Sequence, residues 1–370
     1  MAEKLSTALI FKVLVQCCLI LMLFGVDASS NTAMAGKPSA SINVQYDLIR
    51  MDSGEYDVDR DRLRRARLAF KWKSDQVKGL ALKAEYDFAS SNWTDVYASL
   101  DRGHGRWRVG QFKQPFGMET LTSDKDWLFM ESPVAGAFGV DRRLGVGYDL
   151  EQGNWHGYVS AFGDQIKRGN SGNGVAARLN WTPLGQGINL LHLGIAGARE
   201  NPADESFRLR LRPEVSVGDL RFIDSGSVAG IDNLQRGAME LAWRHGPLLL
   251  QGEHLRLDTN GAIDDDLHAE ATQLSLGWLL TGEIRPYKEG LFGSPTPSHR
   301  RGAVELALRW SRTASRRDDI SQVMRSTGLG VNWYLRQHVR LMLDAHRAST
   351  SRFGGDTNAD VVQARIQIAF

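Results

Sequence analysis

The feature that most constrains this chain is a two-residue period. Near its C-terminal end Val362, Ala364, Ile366, Ile368 and Phe370 fall on one phase, and Gln363, Arg365 and Gln367 on the other. Only an extended strand sends successive side chains to opposite faces, so this segment has one apolar and one polar face. Upstream, Val339, Leu341, Leu343 and Ala345 alternate with Arg340, Met342, Asp344 and His346. Leu329, Val331, Trp333 and Leu335 stand opposite Asn332 and Tyr334, and Val304, Leu306, Leu308 and Trp310 opposite Glu305, Ala307 and Arg309. Leu274, Leu276, Trp278 and Leu280 repeat the pattern against Gln273, Ser275 and Gly277. Beyond residue 35 no stretch approaches the ~18 consecutive apolar residues of a membrane-crossing helix.

A soluble β-sandwich alternates in the same way, and three features separate the two. Many alternating segments reach ~9–11 residues, the length that crosses a bilayer at a tilt, against ~5–6 in soluble sheets. Trp72, Trp93, Trp107, Trp155, Trp181, Trp310 and Tyr334 fall near strand ends, as the aromatic girdles of a membrane barrel require. Tight turns at 74–77, 102–105, 151–154, 245–247 and 336–338 alternate with longer connections, the pattern of short periplasmic turns and longer outer loops. Strand centres near 45, 67, 84, 98, 109, 146, 159, 178, 194, 240, 252, 275, 307, 331, 343 and 366 predict an all-β, antiparallel transmembrane barrel of about 16 strands. Both termini then lie on the periplasmic side, and the terminal Phe370 is a usual ending for such a barrel. Two connections, 114–141 and about 201–235, are long enough to fold inward and narrow the lumen.

The first 35 residues read differently. Lys4 precedes and Lys12 falls near the start of an apolar run from Leu9 to Val26, followed by small residues with cleavage sites after Ala28 or Ala35. This predicts a signal peptide over 1–35, an exported barrel domain over 36–370 and an outer-membrane location; the competing reading is an uncleaved anchor. Both cysteines, Cys17 and Cys18, fall inside that run, which excludes a disulfide framework or cysteine zinc site in the rest.

Enzyme signatures are missing: there is no P-loop, HExxH, GxSxG elbow or GxGxxG between strand and helix. The nine histidines lack metal-ligand spacing, and Asp264–Asp266 reads as a solvated tip, so no catalytic residue, metal or cofactor is expected. With 45 basic against 43 acidic residues the charge is too balanced for a nucleic-acid binder. Basic residues at alternate positions stand out instead. Arg65, Arg67 and Lys71 share a face, while Arg64 has the other phase and needs a bulge to turn inward. Arg208, Arg210 and Arg212 put three guanidinium groups ~7 Å apart along an extended segment. Arginine is costly against lipid and offers a planar fork to oxyanions, so such rows belong in water or lining a pore. The competing reading pairs them with Asp59, Asp61, Glu214 and Asp219, or with lipopolysaccharide.

Over roughly residues 40–370 the chain resembles the phosphate-selective porin O/P family. The matching stretches are LRRARL at 63–68, VGQFKQPFGMETLT at 109–122, LTGEIRPYK at 280–288, GLGVNWYL at 328–335 and the last strand. The resemblance implies a homotrimer of sixteen-stranded barrels in the outer membrane, with inturned loops and an arginine-rich path for small anions. It assigns Arg64 and Arg65 to the constriction, Arg208, Arg210 and Arg212 to the alternating arginines of an inturned loop, and Lys125 to the constriction-loop lysines. The chain departs from the pattern in carrying Glu119, Asp124, Asp126 and Glu131 around that one lysine. The function expected is passive diffusion of phosphate-like anions. The alternatives are a general-diffusion or sugar porin, an outer-membrane hydrolase, and a structural β-protein with no open lumen.

Overall fold

Each alternating segment forms a strand, and the strands close on themselves. The computed structural model describes residues 36–370 except 55, 168, 170, 186, 264, 353 and 354. The expected signal segment with its cleavage sites after Ala28 and Ala35, both cysteines and Asp264 therefore lie outside the described residues. The sixteen barrel strands are β1 (Gly36–Asp52), β2 (Val58–Ser74), β3 (Leu80–Asp87), β4 (Asn92–Arg102), β5 (Gly105–Lys113), β6 (Arg142–Gln152), β7 (Trp155–Phe162) and β8 (Asn173–Leu184). They continue as β9 (Asn189–Asn201), β10 (Asn233–His245), β11 (Leu248–Asn260), β12 (His268–Leu279), β13 (Ala303–Arg317), β14 (Ile320–Arg336), β15 (Val339–Arg352) and β16 (Gly355–Ala369). All neighbours are antiparallel, and β1 pairs with β16 to close the ring. Phe370 extends that seam, exchanging backbone hydrogen bonds with Ile42 at 2.9 and 3.1 Å. Closure matters because an open edge in lipid would leave a row of unsatisfied backbone groups.

All sixteen expected centres fall within strands. Several strands are longer than expected: β1, β2 and β14 have 17 residues each. At about 3.3 Å per residue such a strand exceeds a tilted bilayer crossing, so the wall stands clear of the membrane at one end.

The phases fall as the alternation requires. Ile366, Leu343, Leu329, Leu308 and Leu274 are about half exposed on the outer surface, whereas Arg365, Gln363, Asp344, Asn332 and Arg309 point inward and are buried. Tyr334 corrects one expectation. It turns inward, is 3% exposed and hydrogen-bonds Glu305 at 2.9 Å, so it belongs to the lumen rather than to an aromatic girdle. Leu308 lies midway along the outward apolar run Val304–Leu306–Leu308–Trp310 of β13. Leu308→Arg is therefore expected to cost about 2–4 kcal/mol of stability in folding titrations from urea into vesicles; a change below about 1 kcal/mol contradicts a lipid-facing Leu308.

Candidate functional site

The lumen is built first by β2. Asp47 of β1 faces Arg62 and Gln45 faces Arg65, while Arg64 is the extra residue of a β-bulge between those pairs. The bulge changes the inward phase from even to odd positions. It brings Arg64 inside as well, where it grips the Glu131 carboxylate with two bonds of 2.7 and 2.8 Å. A single strand thus carries Arg62, Arg64, Arg65, Arg67 and Lys71 on its inner side.

The loop 114–141 descends into the barrel and is held there by the wall's polar side chains. It contains two short helices, α1 (Met118–Leu121) and α2 (Pro133–Phe138). Glu253 accepts hydrogen bonds from the backbone N–H of Met118 and Glu119 at 2.5 and 3.1 Å. At the other end of α1 the Lys113 ammonium donates to the carbonyls of Thr120 and Thr122 at 2.7 and 2.8 Å. Arg309 reaches Glu119 and the Glu131 carbonyl, both at 2.7 Å. Arg340 donates to the Trp127 carbonyl at 2.7 Å, and Asn332 to that of Leu128 at 2.9 Å. Arg365, with no side-chain exposure, joins Asp47 (2.6 Å), Glu131 (3.1 Å) and the Met130 carbonyl (2.8 Å).

These contacts absorb the acidic residues of the loop. Asp124 lies 2.7 Å from Arg65 and 2.6 Å from Arg67. Burial alone would raise its pKa, but the two guanidinium groups hold the carboxyl well below the usual carboxylate range. Glu131 behaves alike: burial opposes, and Arg64 followed by Arg365 keeps it ionised. Glu119 differs, because burial outweighs Arg309 and raises its pKa. Asp126 takes Lys125 at 3.1 Å and the Ser294 N–H at 3.0 Å.

The expected site residues fall in two places. Arg64, Arg65, Arg67 and Lys125 gather around the first inturned loop; Arg65 is 5% exposed, beneath Asp124 with its guanidinium 5.6 Å from the Trp127 ring centre. Arg208, Arg210 and Arg212 occupy the second loop, 202–232. Their side is exposed or half-exposed, and Leu209 and Leu211 turn the other way to pack on Phe222, Ile223 and the α2 residues Val134 and Phe138. Arg208 holds Asp224 with two bonds (2.7 and 2.6 Å), Arg212 donates to the Gly218 carbonyl at 3.0 Å, and Arg210 makes no ion pair among the described residues. Burial together with the charges of Arg221, Arg210 and Arg62 lowers the Arg212 pKa, with Asp219 opposing. Outward-facing Asp59 and Asp61 are not the partners of Arg64, Arg65 and Arg67; Glu131 and Asp124 of the loop and Asp87 of β3 are.

A third inturned segment, 280–302, lies at the barrel end that carries the tight turns, Gly36 and Phe370, against the expectation of short connections there. Arg285 anchors it, with two bonds of 2.7 Å to Glu305 and others to Tyr334 and the Asp126 carbonyl. Its tip is a ribbon, Tyr287–Lys288 against Leu291–Phe292, whose Gly290 carbonyl accepts from Arg178 at 2.9 Å. A Cβ on Gly290 would sit 2.6 Å from Asn180, and its φ is +77°, so the ribbon's approach requires glycine. The signal was present in the spacing of Gly282, Pro286, Gly290, Pro295 and Pro297, which no strand or helix tolerates.

Between the first and third inturned segments and the wall formed by β1–β6 and β14–β16 lies a cavity of about 770 Å³. Lys71, Lys83, Lys113 and Arg142 line it together with Arg67, Lys125, Arg336 and Arg340, against the acids Glu85, Asp95, Asp124 and Asp126. Lys71 stands directly opposite Lys83, and Lys113 opposite Arg142. Asp95 serves Lys83 and Arg142, both at 2.6 Å, but neither Lys71 nor Lys113 has a carboxylate partner among the described residues. Sequence reasoning missed Lys83, Lys113 and Arg142 because they lie on three different strands with no local pattern linking them; only the register makes them a group. A smaller cavity of about 160 Å³ adjoins, lined by Arg108, His156, Tyr158 and Arg178.

The sequence profile of the family described as phosphate-selective porin O and P matches residues 39–370. Porin O of Pseudomonas aeruginosa is 27% identical over 71% of this chain and 70% of its own length. Among solved structures, an anion-selective porin from Comamonas acidovorans shares the fold at 15% identity, covering 91% of this chain and all of that one with a TM-score of 0.59. OmpT of Vibrio cholerae, in its trimer form, is similar at 11% identity over 90% of this chain and 99% of that one, with a TM-score of 0.59. Family and fold together indicate a channel rather than an enzyme, set in the outer membrane. The chain belongs to the phosphate-selective porin O and P family.

Proposed function

We propose that this porin conducts small anions passively, with phosphate or a related oxyanion as its solute. The observation that carries the reading is the pair of like-charge contacts facing the cavity, Lys71 opposite Lys83 and Lys113 opposite Arg142. Like charges directly opposite on neighbouring strands are destabilising, so their retention in the lumen fits a site that a passing anion occupies. The cations extend from Arg210 and Arg212 through Arg62, Arg64, Arg65 and Arg67 to that cavity, while Asp124, Asp126 and Glu131 are taken up by ion pairs. An anion that sheds water in a narrow pore needs donors along the wall, and several moderate sites release it better than one strong site. The description of the family and the name of the Comamonas porin support the same reading, and the Vibrio trimer supports a homotrimer. Residues 1–35 serve in this reading as the export signal, with lipopolysaccharide and outer-membrane lipid around the barrel.

Reversal potentials in planar bilayers, first in asymmetric KCl and then with phosphate added, test this. The expected results are a potential displaced toward the chloride limit and a chloride current reduced by phosphate. A potential at zero or toward the potassium limit overturns the reading. Arg210→Ala is expected to lower single-channel conductance at about 0.01 M salt, where an exposed charge acts over ~30 Å, and to leave it unchanged at about 1 M, where screening cuts that reach to ~3 Å.

A further inference from the structure

On the outer surface, the apolar runs of three consecutive strands each end in an arginine. Along β13 the outward residues are Val304, Leu306, Leu308 and Trp310, then Arg312; along β14, Trp333, Val331, Leu329 and Thr327, then Arg325; along β15, Leu341, Leu343 and Ala345, then Arg347. All three lie toward the end opposite Gly36 and Phe370, which in an outer-membrane barrel faces outward. The step from the last apolar residue to the arginine is two residues on β13 and β15, about 7 Å of strand, and four on β14, where Thr327 intervenes, which sets the guanidinium groups just beyond the hydrocarbon. Arg312 is paired directly opposite Arg325, and Arg347 stands diagonally across on the next strand. The flanking strands end the same way in acids: Glu270 on β12 takes Arg312 at 3.0 Å, and Asp360 on β16 takes Arg347 at 2.7 Å. Arg325, in the middle, is exposed and has no hydrogen bond or ion pair among the described residues.

We infer that Arg325, with Arg312 and Arg347 beside it, binds a phosphate group of a phosphorylated lipid in the outer leaflet. Like charges directly opposite on neighbouring strands are destabilising, and here Glu270 answers Arg312 while no carboxylate among the described residues answers Arg325. Arginine's planar fork takes phosphate oxygens two at a time. The acids at the edges orient the outer two arginines and leave the central one available. A lipid phosphate is held at this height by its own acyl chains, which lie against Trp310, Leu308 and Leu329. The inference rests on the barrel's place in the outer membrane and is independent of what passes through the lumen.

The test uses the full-length porin purified in detergent, with lipid A carrying both phosphates, or lipid A stripped of them, as the probe. Wild type is expected to bind the phosphorylated form at least about tenfold more tightly, and Arg325→Ala to lose about that factor, as one charge-assisted contact predicts. Arg325→Ala should keep the wild-type reversal potential, because the residue faces away from the pore. Equal binding of both lipid forms by wild type overturns the inference without any variant. Unchanged lipid A binding by a folded Arg325→Ala overturns it too. So does an oligomeric state that depends on Arg325 with lipid A absent, since a second copy would then occupy the rim.

Discussion

Arg365→Ala is expected to destabilise the barrel by about 3–5 kcal/mol, the cost of leaving a buried charge without its partner. Arg365 and Asp47 are both fully buried and joined by two bonds of 2.6 and 2.7 Å. Removing the guanidinium strands the Asp47 carboxylate and also frees Glu131 and the Met130 carbonyl, so the inturned loop loses part of its anchorage. Arg365→Lys is expected to recover little, because one ammonium cannot present a fork to Asp47 and still reach both loop groups. Urea titration of the folded barrel in detergent, followed by the heat-sensitive mobility of folded barrels on gels, measures this. Arg256→Ala is the control: it breaks an exposed pair with Asp258 and should change stability by no more than about 1 kcal/mol. Equal effects of the two substitutions would show that the Arg365 network does not hold the lumen together. Channels of Arg365→Ala that do assemble should have larger, noisier conductance, since the loop they loosen narrows the pore.

The second large effect concerns selectivity. Around Asp124 the charges cancel, with Arg65 and Arg67 against Asp124 and Asp87. Arg65→Ala leaves that group one unit negative where the first loop crosses the lumen. A unit charge about 4–8 Å from a passing ion is worth about 2–4 kcal/mol at an effective dielectric of about 20. Each 1.4 kcal/mol is about a factor of ten, so the anion-to-cation permeability ratio should fall tenfold or more. Asp124→Asn changes the charge the other way and should raise the ratio, because Arg65 and Arg67 then lack a shared counter-ion. Reversal potentials under a tenfold KCl gradient distinguish the two directions. If both variants keep the wild-type potential, the charges at Asp124 lie off the ion path and the β2 arginines serve only to hold the loop.

Much of the barrel was legible because a two-residue period survives any tertiary arrangement: Ile366 and Ile368 must face away from Arg365 and Gln367 whatever the strand pairs with. The sixteen centres followed from that period, and the two outer loops from the long gaps between centres. The segment 280–302 escaped because its breakers sit where a periplasmic turn was expected, and only packing against Glu305, His192 and Arg178 turns it inward. The bulge at Arg64 was required by phase if that residue was to face inward, but its presence is a matter of pairing with β1. By itself, then, the sequence determined which residues face lipid and which face inward, since alternation and the cost of charge in hydrocarbon decide both. Only the tertiary structure decided which cations remain available. Whether Asp124 meets Arg65 or Lys113 faces Arg142 depends on register and loop descent between residues far apart in the chain, and no local pattern encodes it.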